Sequence, residues 1–201
     1  MAVINYKKKE VSCKIVYFGP SLGGKTTNIQ HIHTRTPEKS RSDLKCVNTE
    51  GDRTLFFDFF SLDISKINSL QVKFQIYGVP GQSYYRSTRK MVLSGADGIV
   101  FVADSDEKRL SDNIESFIEM KGMLEEYEYD SHTVPLVFQW NKRDLDEKTP
   151  VDQLERTLNK WRRPSFEAIA VEGKSVIDTF KKVCVDVVAR LENDLTLQHK
   201  T

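Results

Sequence analysis

The chain has 201 residues, of which 39% are hydrophobic and 29% charged, and its formal net charge is +1. This composition is typical of a soluble globular protein, which we expect to form one domain over residues 1–201 with no nucleic-acid partner. No apolar run reaches the ~18 residues that a membrane-spanning helix needs. The three scattered cysteines favour a reducing compartment over a disulfide framework. We therefore expect a cytoplasmic protein without membrane insertion.

The first informative segment lies between a predicted strand and a predicted helix. Residues 11–18 are mostly apolar and predict a strand buried on both faces, and residues 25–36 predict a helix that ends before Pro37. Between them the chain reads G-x-x-x-x-G-K-[ST], from Gly19 to Thr26. In this context the motif predicts a phosphate-binding loop. Glycines let backbone N–H groups surround an anion, and the positive end of the helix dipole attracts it.

Two side chains of this loop have distinct expected roles. Lys25 is expected to place its charge on the β- and γ-phosphates of a nucleotide, and the Thr26 hydroxyl is expected to bind Mg²⁺. A glycine-rich turn with an unrelated lysine is the alternative, but it does not explain the flanking strand and helix. The residues that we predict to bind nucleotide here are Gly19, Leu22, Gly23, Gly24, Lys25, Thr26 and Thr27.

The next elements form a predicted antiparallel hairpin. Residues 38–45 are polar and predict an exposed loop. Residues 54–60 form an aromatic-rich segment, and apolar and polar residues alternate over 70–77. With a turn at 68–69, these segments predict two adjacent strands.

Polar residues flank this hairpin at positions suited to phosphate chemistry. Thr54 is expected to complete the coordination of Mg²⁺, and Arg53 to neutralise charge on the transferred phosphoryl group. After the hairpin, a Gly81 N–H group is expected to approach a γ-phosphate and Gln82 to orient the attacking water. The alternatives are a solvated loop charge for Arg53 and a polar residue at a helix start for Gln82.

The remainder of the chain alternates between strands and helices. This alternation predicts a doubly wound, three-layer α/β fold with a mostly parallel sheet and one antiparallel edge strand. Ligands of such sheets bind at the carboxyl ends of the strands. Ser111 is expected to cap the predicted helix 111–127. The predicted strands are 98–103, 135–140 and 166–170, and the predicted helices are a short one ending near 95, then 111–127, 151–161 and 176–191.

An N-K-x-D sequence follows the predicted strand 135–140. A carboxylate at Asp144 can accept hydrogen bonds from the N1–H and N2 groups of guanine, a donor pair that adenine lacks. Asn141 is expected to contact the base or the phosphate loop, and the Lys142 stem to lie over the base. Backbone N–H groups of Ala170 and Val171 are expected to meet the guanine carbonyl.

These motifs resemble the small Ras-like GTPases, and more closely the bacterial MglA family, the polarity and motility switches of gliding bacteria. The R-T-L-F-F-D-F sequence at 53–59 distinguishes this family from its Ras and Arf relatives. The similarity extends over nearly the whole chain, through the segments 14–20, 53–59, 79–82, 98–105, 141–145 and 172–174.

The resemblance implies properties that composition and spacing do not indicate. It implies a G domain with GTP and GDP as substrate and product and Mg²⁺ as cofactor. It implies an activating partner, an MglB-like Roadblock-type homodimer that inserts no arginine, so that Arg53, Gln82 and Lys25 are catalytic in cis. It also implies effectors that bind the GTP form, a polar location for that form, a diffuse GDP form, and a second strand that slides in register between nucleotide states.

One position departs from the general Ras-like pattern. Residue 78 is a glycine, where Ras-like proteins usually have an aspartate that holds Mg²⁺ through water; the MglA family shares this departure. We hypothesise that Asp58 replaces it, because on an extended strand Asp58 lies on the same face as Thr54. The alternative is that Asp58 is a solvent-facing strand residue.

Two other functions fit part of the sequence. A guanine-nucleotide-binding adaptor with negligible hydrolysis would keep the binding motifs but would not need Gln82 or Arg53. A phosphotransferase would use the same phosphate loop, but it would need an arginine-rich lid and would not need residues 141–144.

Overall fold

The computed structural model describes residues 2–48, 54–67, 70–81, 85–127, 129 and 133–198. The strands are β1 (Val3–Asn5), β2 (Glu10–Phe18), β3 (Lys45–Asn48), β4 (Thr54–Ile67), β5 (Leu70–Gly78), β6 (Gly98–Asp104), β7 (Leu136–Asn141) and β8 (Ser165–Glu167). The α-helices are α1 (Lys25–Arg35), α2 (Arg86–Leu93), α3 (Leu110–Glu126), α4 (Val151–Leu158) and α5 (Val176–Gln198). One-turn 3₁₀ helices cover Glu38–Ser40 and Glu107–Arg109.

Within the described residues, the strands form one eight-stranded sheet. Its order is β3-β4-β5-β2-β6-β7-β8, and β1 pairs with the start of β2. Strands β5, β2, β6, β7 and β8 are parallel, whereas β4 is antiparallel to both of its neighbours. The predicted fold class and hairpin are therefore confirmed, but β3 lies outside β4, so the antiparallel strand is not the edge.

Apolar side chains cover both faces of the sheet, which gives the three layers. Cys13, Ile15 and Tyr17 of β2 belong to the core cluster that includes α1 and α5, and Val16 and Phe18 belong to the cluster that includes α2, α3 and α4. All five are fully buried, as predicted for a strand covered on both faces. The apolar face of α5 packs on the sheet through Val176, Phe180, Val183 and Val187.

Several boundaries differ from the predicted ones for local reasons. Helix α3 begins at Leu110, after a 3₁₀ turn that Asp106 caps by accepting the Lys108 N–H. Ser111 therefore lies inside the helix, and its predicted capping role is wrong. Strand β8 ends early because Ile169 and Lys174 close a tight turn through two backbone hydrogen bonds. The predicted turn at 68–69 lies outside the described residues.

The carboxyl ends of the parallel strands lie along one edge of the sheet. The residues that end β2, β5, β6, β7 and β8 are Phe18, Gly78, Asp104, Asn141 and Glu167. The phosphate loop, the segment that leads to Gly81, the N-K-x-D turn and the loop after β8 follow these ends, so the topology brings them together, whereas Thr54 begins β4. No helix in the described part of the chain is both long and apolar enough to cross a lipid bilayer.

Candidate functional site

The loop between β2 and α1 has a backbone that needs glycine at two positions. Gly19 has φ +145° and Gly24 has φ +97°. A Cβ atom at Gly19 would lie 2.1 Å from the Val102 carbonyl oxygen, and one at Gly24 would lie 2.1 Å from Asn141 Nδ2. The loop can therefore pack closely against β6 and β7 only because these side chains are absent.

Helix α1 begins without a side-chain cap. Gly24 is its N-cap and makes no side-chain capping bond, and the first turn of this fully described helix has no acidic residue. Lys25 is 6% exposed, and its Nζ donates to the carbonyl oxygens of Gly19 at 3.0 Å and Pro20 at 2.6 Å. An ammonium group inside the loop and a positive helix end next to it form an environment that suits phosphate. Thr26 and Thr27 follow in the same turn.

Asn141 joins three of the loops. Its side chain is almost fully buried, its Nδ2 donates to the Gly23 carbonyl oxygen at 2.9 Å, and its Oδ1 accepts the Ala170 N–H at 2.9 Å. A buried amide with both ends engaged fixes the distance between the groups that it joins. The phosphate loop and the loop after β8 are thus held by one side chain at the end of β7.

Two residues after Asn141 bind neighbouring segments of the chain through their side chains, and the third is an exposed carboxylate. Lys142 has φ +66° and its Nζ lies 2.6 Å from Asp104 Oδ2. The Arg143 side chain donates to the Thr149 carbonyl oxygen at 2.8 Å and pairs with Glu167 at 3.0 Å. Asp144 is exposed, and no other described residue forms a hydrogen bond or ion pair with it. The turn is therefore rigid around a carboxylate that remains open to a ligand.

The loop after β8 presents a backbone edge beside this turn. Because the Ala170 N–H is already bonded to Asn141, Ala170 contributes a buried wall. The neighbouring Val171 is 76% exposed, and within the described residues its N–H has no hydrogen-bond acceptor. Of the two predicted carbonyl contacts, Val171 is the one that is geometrically open.

The segment after β5 reaches the phosphate loop. A Cβ atom at Gly81 would lie 2.3 Å from Ser21 Cα and 3.0 Å from Lys25 Nζ, so only glycine permits this approach. On the neighbouring strand, Asp58 pairs in register with Gly78, and Thr54 begins β4. The predicted catalytic residues Arg53 and Gln82 lie outside the described residues.

Helix α2, which follows this segment, is fastened to α3 by ion pairs. Arg89 is 3% exposed and its guanidinium lies 2.7 Å from Glu119 Oε2. Burial raises the pKa of Glu119 and lowers that of Arg89. Nearer the surface, hydrogen bonds from Lys90 and Arg86 lower the pKa of Glu126. These contacts hold α2 against α3.

Sequence reasoning missed a group of polar residues beneath the site. Asp104 is 1% exposed and faces the cations of Lys142 and Arg109, and Asn113 bonds to the Asp104 backbone. One sequence signal could have revealed Asp104: it is a carboxylate at the end of an apolar strand, on the edge of the sheet where ligands bind. The position of Arg109 depends on the 3₁₀ turn before α3, which was not predicted from the sequence.

Comparison with known proteins agrees with this geometry. The model of the ADP-ribosylation factor (Arf) family matches residues 1–187. The chain is 43% identical over 192 residues to the mutual gliding-motility protein MglA of Myxococcus xanthus, covering 96% of this chain and 98% of that protein. The chain belongs to the MglA-type small GTPases. As a member of this family it hydrolyses GTP to GDP, and the family resemblance is confirmed.

More distant relatives are eukaryotic small GTPases. The Ypt/Rab-type GTPase ypt7 of Pyricularia oryzae is 23% identical, with 93% of this chain and 87% of that protein covered. Rab-28 of Caenorhabditis elegans is 30% identical, with 87% and 66% covered. The family resemblance thus includes the Rab branch as well as the bacterial one.

Proposed function

We propose that this chain is a single G domain over residues 1–201 that acts as a GTP-dependent switch of cell polarity or motility. Its product is a conformational state that effectors recognise, and the hydrolysis of GTP ends that state. The observation that supports the proposal is the Asn141 bridge between Gly23 and Ala170, since it joins the phosphate loop to the N-K-x-D turn and to the loop after β8. The gliding-motility name of the Myxococcus relative supports the cellular role.

In this proposal the nucleotide lies across the carboxyl ends of β2, β7 and β8. The phosphates occupy the loop at 19–27, with the Gly24 N–H group and the Lys25 ammonium around them. Gly23 shapes the loop, since its N–H donates to the Pro20 carbonyl oxygen at 3.3 Å. Guanine lies over the Lys142 stem, donates to Asp144, and accepts the Val171 N–H. Adenine offers no donor pair to Asp144 and leaves that carboxylate unpaired.

The candidate ligands carry hydroxyl and carboxylate oxygens, which suit Mg²⁺, a hard cation that prefers hydroxyl, carboxylate and water oxygens. Thr26 lies in the first turn of α1, beside Lys25. Thr54 and Asp58 lie on β4, and Asp58 pairs with Gly78 at the end of β5. We assign the metal to these three residues. When bound, the ion neutralises charge on the β- and γ-phosphates.

Catalysis in this site depends on position and charge. Gly81 brings its N–H group to the γ-phosphate side of the loop, where a Cβ atom would collide with Ser21. Gln82 orients the attacking water, and Arg53 and Lys25 stabilise the charge that develops on the phosphoryl group. The roles of Arg53 and Gln82 rest on their motifs and on the family resemblance.

The proposed partners follow from the family. An MglB-like Roadblock-type homodimer accelerates hydrolysis without inserting an arginine, so that Arg53 and Gln82 act in cis, and polarity or motility effectors bind the GTP form. We place the protein in the cytoplasm, at a cell pole when GTP is bound. We propose neither a nucleic-acid partner nor membrane insertion.

Single-turnover GTP hydrolysis at saturating Mg²⁺ tests this function. We expect slow turnover alone, strong stimulation by an MglB-type protein, and a loss of about 10³-fold of the stimulated rate in Arg53→Ala. Gln82→Ala should also lose the stimulation. Arg156→Ala removes an arginine from the exposed surface of α4, where its side chain is 76% exposed, and should retain the full rate.

Two results would change the assignment. Tight GTP binding without stimulated hydrolysis would favour the adaptor function. Effective competition by ATP for the same site would contradict the guanine-specific pocket and favour a phosphotransferase.

A further inference from the structure

A buried carboxylate lies beneath the proposed nucleotide site. Asp104 ends β6, and the Asn113 side chain holds its backbone through two hydrogen bonds of 2.8 Å. Its Oδ2 lies 2.6 Å from Lys142 Nζ and 3.9 Å from Arg109 Nε, and its Oδ1 accepts the Asp106 N–H at 3.1 Å. A charge removed from water is tolerated only when it is compensated, so Asp104 holds both cations near it.

Arg109 connects this carboxylate to the phosphate loop. It ends the 3₁₀ turn before α3, and its guanidinium donates through Nη2 to the Ser21 carbonyl oxygen at 2.8 Å. Its Nη1 pairs with Asp112. The planar fork of arginine can serve three groups in different directions, which the single ammonium of a lysine cannot do in the same geometry.

The bond to Ser21 determines which way one peptide unit of the loop faces. In a trans peptide the C=O and the following N–H point in opposite directions. Because the Ser21 carbonyl faces Arg109, the Leu22 N–H faces away from Arg109. Leu22 has φ +60°, a region that non-glycine residues rarely adopt, and its side chain is 61% exposed. Leu22 therefore combines an uncommon backbone conformation with little packing, directly after the carbonyl group that Arg109 holds.

We propose that Arg109 is a positioning residue that keeps the Ser21–Leu22 peptide turned so that the Leu22 N–H faces the phosphates. Through Asp104 it shares an anchor with Lys142, so the phosphate loop and the base-binding turn are held by one carboxylate. Without Arg109 the peptide can flip, which returns Leu22 to negative φ and removes one donor from the phosphates. This role rests on the proposed nucleotide site, although Arg109 itself does not touch the nucleotide.

The release of fluorescent mant-GDP from the full chain tests this role. Arg109→Ala should release the nucleotide about tenfold faster than the wild type, the effect of losing one hydrogen bond to a charged group. Arg109→Lys should also release it faster, because it keeps the charge but not the fork. Arg156→Ala, the matched surface arginine, should release it at the wild-type rate.

A second substitution separates positioning from a general loss of stability. Glycine adopts positive φ without strain, so adding Leu22→Gly to Arg109→Ala should recover most of the lost retention of mant-GDP. The thermal midpoint of the double variant is not expected to rise, because glycine adds conformational entropy to the unfolded chain.

Three results would overturn the proposal. Wild-type release from Arg109→Ala would exclude the role. Fast release that Leu22→Gly does not slow would exclude the peptide orientation as its cause. Failure of the wild type to retain mant-GDP would instead contradict the nucleotide site itself, and the role of Arg109 would fall with it.

Discussion

Asp58 and Gly78 occupy paired positions of the antiparallel strands β4 and β5. Directly opposed residues of two strands share one face of the sheet. In this register residue 58 stands opposite residue 78, which is a glycine, next to the segment that leads to Gly81. This pairing is the structural support for our hypothesis that Asp58 acts in place of an aspartate at 78.

Replacing Asp58 by asparagine tests that hypothesis through the metal. Asp58→Asn should raise the Mg²⁺ concentration needed for half-maximal retention of nucleotide by about tenfold, because a neutral amide binds a hard cation less well than a carboxylate. The measurement is mant-GDP release across a Mg²⁺ titration. Asp63→Asn, five residues further along the same strand, is the matched control. An unchanged Mg²⁺ requirement in Asp58→Asn would contradict the assignment.

Single residues also show which backbone conformations can be predicted from the sequence and which cannot. Gly19 and Gly24 could be predicted because their motif implies backbone conformations that only glycine tolerates well. Leu22 and Lys142 have positive φ as well, but nothing in a leucine or lysine indicates it. Contacts distant in sequence, from Arg109 to Ser21 and from Lys142 to Asp104, accompany those conformations. Such contacts cannot be read before the fold is known.

Among the elements, β6 and α5 form a close contact at the centre of the molecule. Gly98 begins β6, and a Cβ atom there would lie 2.6 Å from Val187 Cγ2 and 2.9 Å from Val183 Cγ2. Both valines are buried in the core. Since cores are packed at nearly crystalline density, neither can move aside without disturbing its neighbours.

Gly98→Ala should therefore lower the free energy of unfolding by about 1–3 kcal/mol, the usual effect of overpacking. Gly122 provides the matched control, because it lies in α3 and a Cβ atom there would meet no atom within 4 Å. Gly122→Ala should raise the free energy of unfolding by about 0.5–1 kcal/mol through helix propensity. Urea denaturation of both variants measures the difference. Equal midpoints would contradict the close contact between β6 and α5.

Elements with a long apolar run or a regular apolar face could be located from the sequence. The continuous apolar runs of β6 and β7 were predicted to within one residue at each end, because burial on the sheet imposes those patterns. The start of α5 was predicted correctly, but the helix continues to Gln198, seven residues beyond the predicted end. Strands β1 and β3 were missed, since three or four residues are too few to show a period. They form by pairing with β2 and β4, which is a property of the sheet and not of the segments.

For the whole molecule, two thiols report on the integrity of the core. Cys13 on β2 and Cys184 on α5 are buried in the same apolar cluster. Burial raises the pKa of Cys13 to about 12 and that of Cys184 well above its ordinary range. In the unfolded chain these thiols lose their protons near pH 9, the ordinary value, so the folded state holds more protons above that pH. Their contribution to stability therefore falls as the pH rises above about 9.

Alkylation of the two cysteines measures how often the core opens. The thiolate is the reactive form, so iodoacetamide at pH 9 should modify Cys13 and Cys184 only when the core opens. Peptide mapping by mass spectrometry should find both sites protected in the native protein and modified rapidly in urea. If opening is global, Gly98→Ala should accelerate both sites equally, by about tenfold for each 1.4 kcal/mol that urea denaturation records. Acceleration at Cys184 alone would show that α5 detaches from the sheet while β2 stays covered. In that case the sheet and its last helix would unfold as separate units.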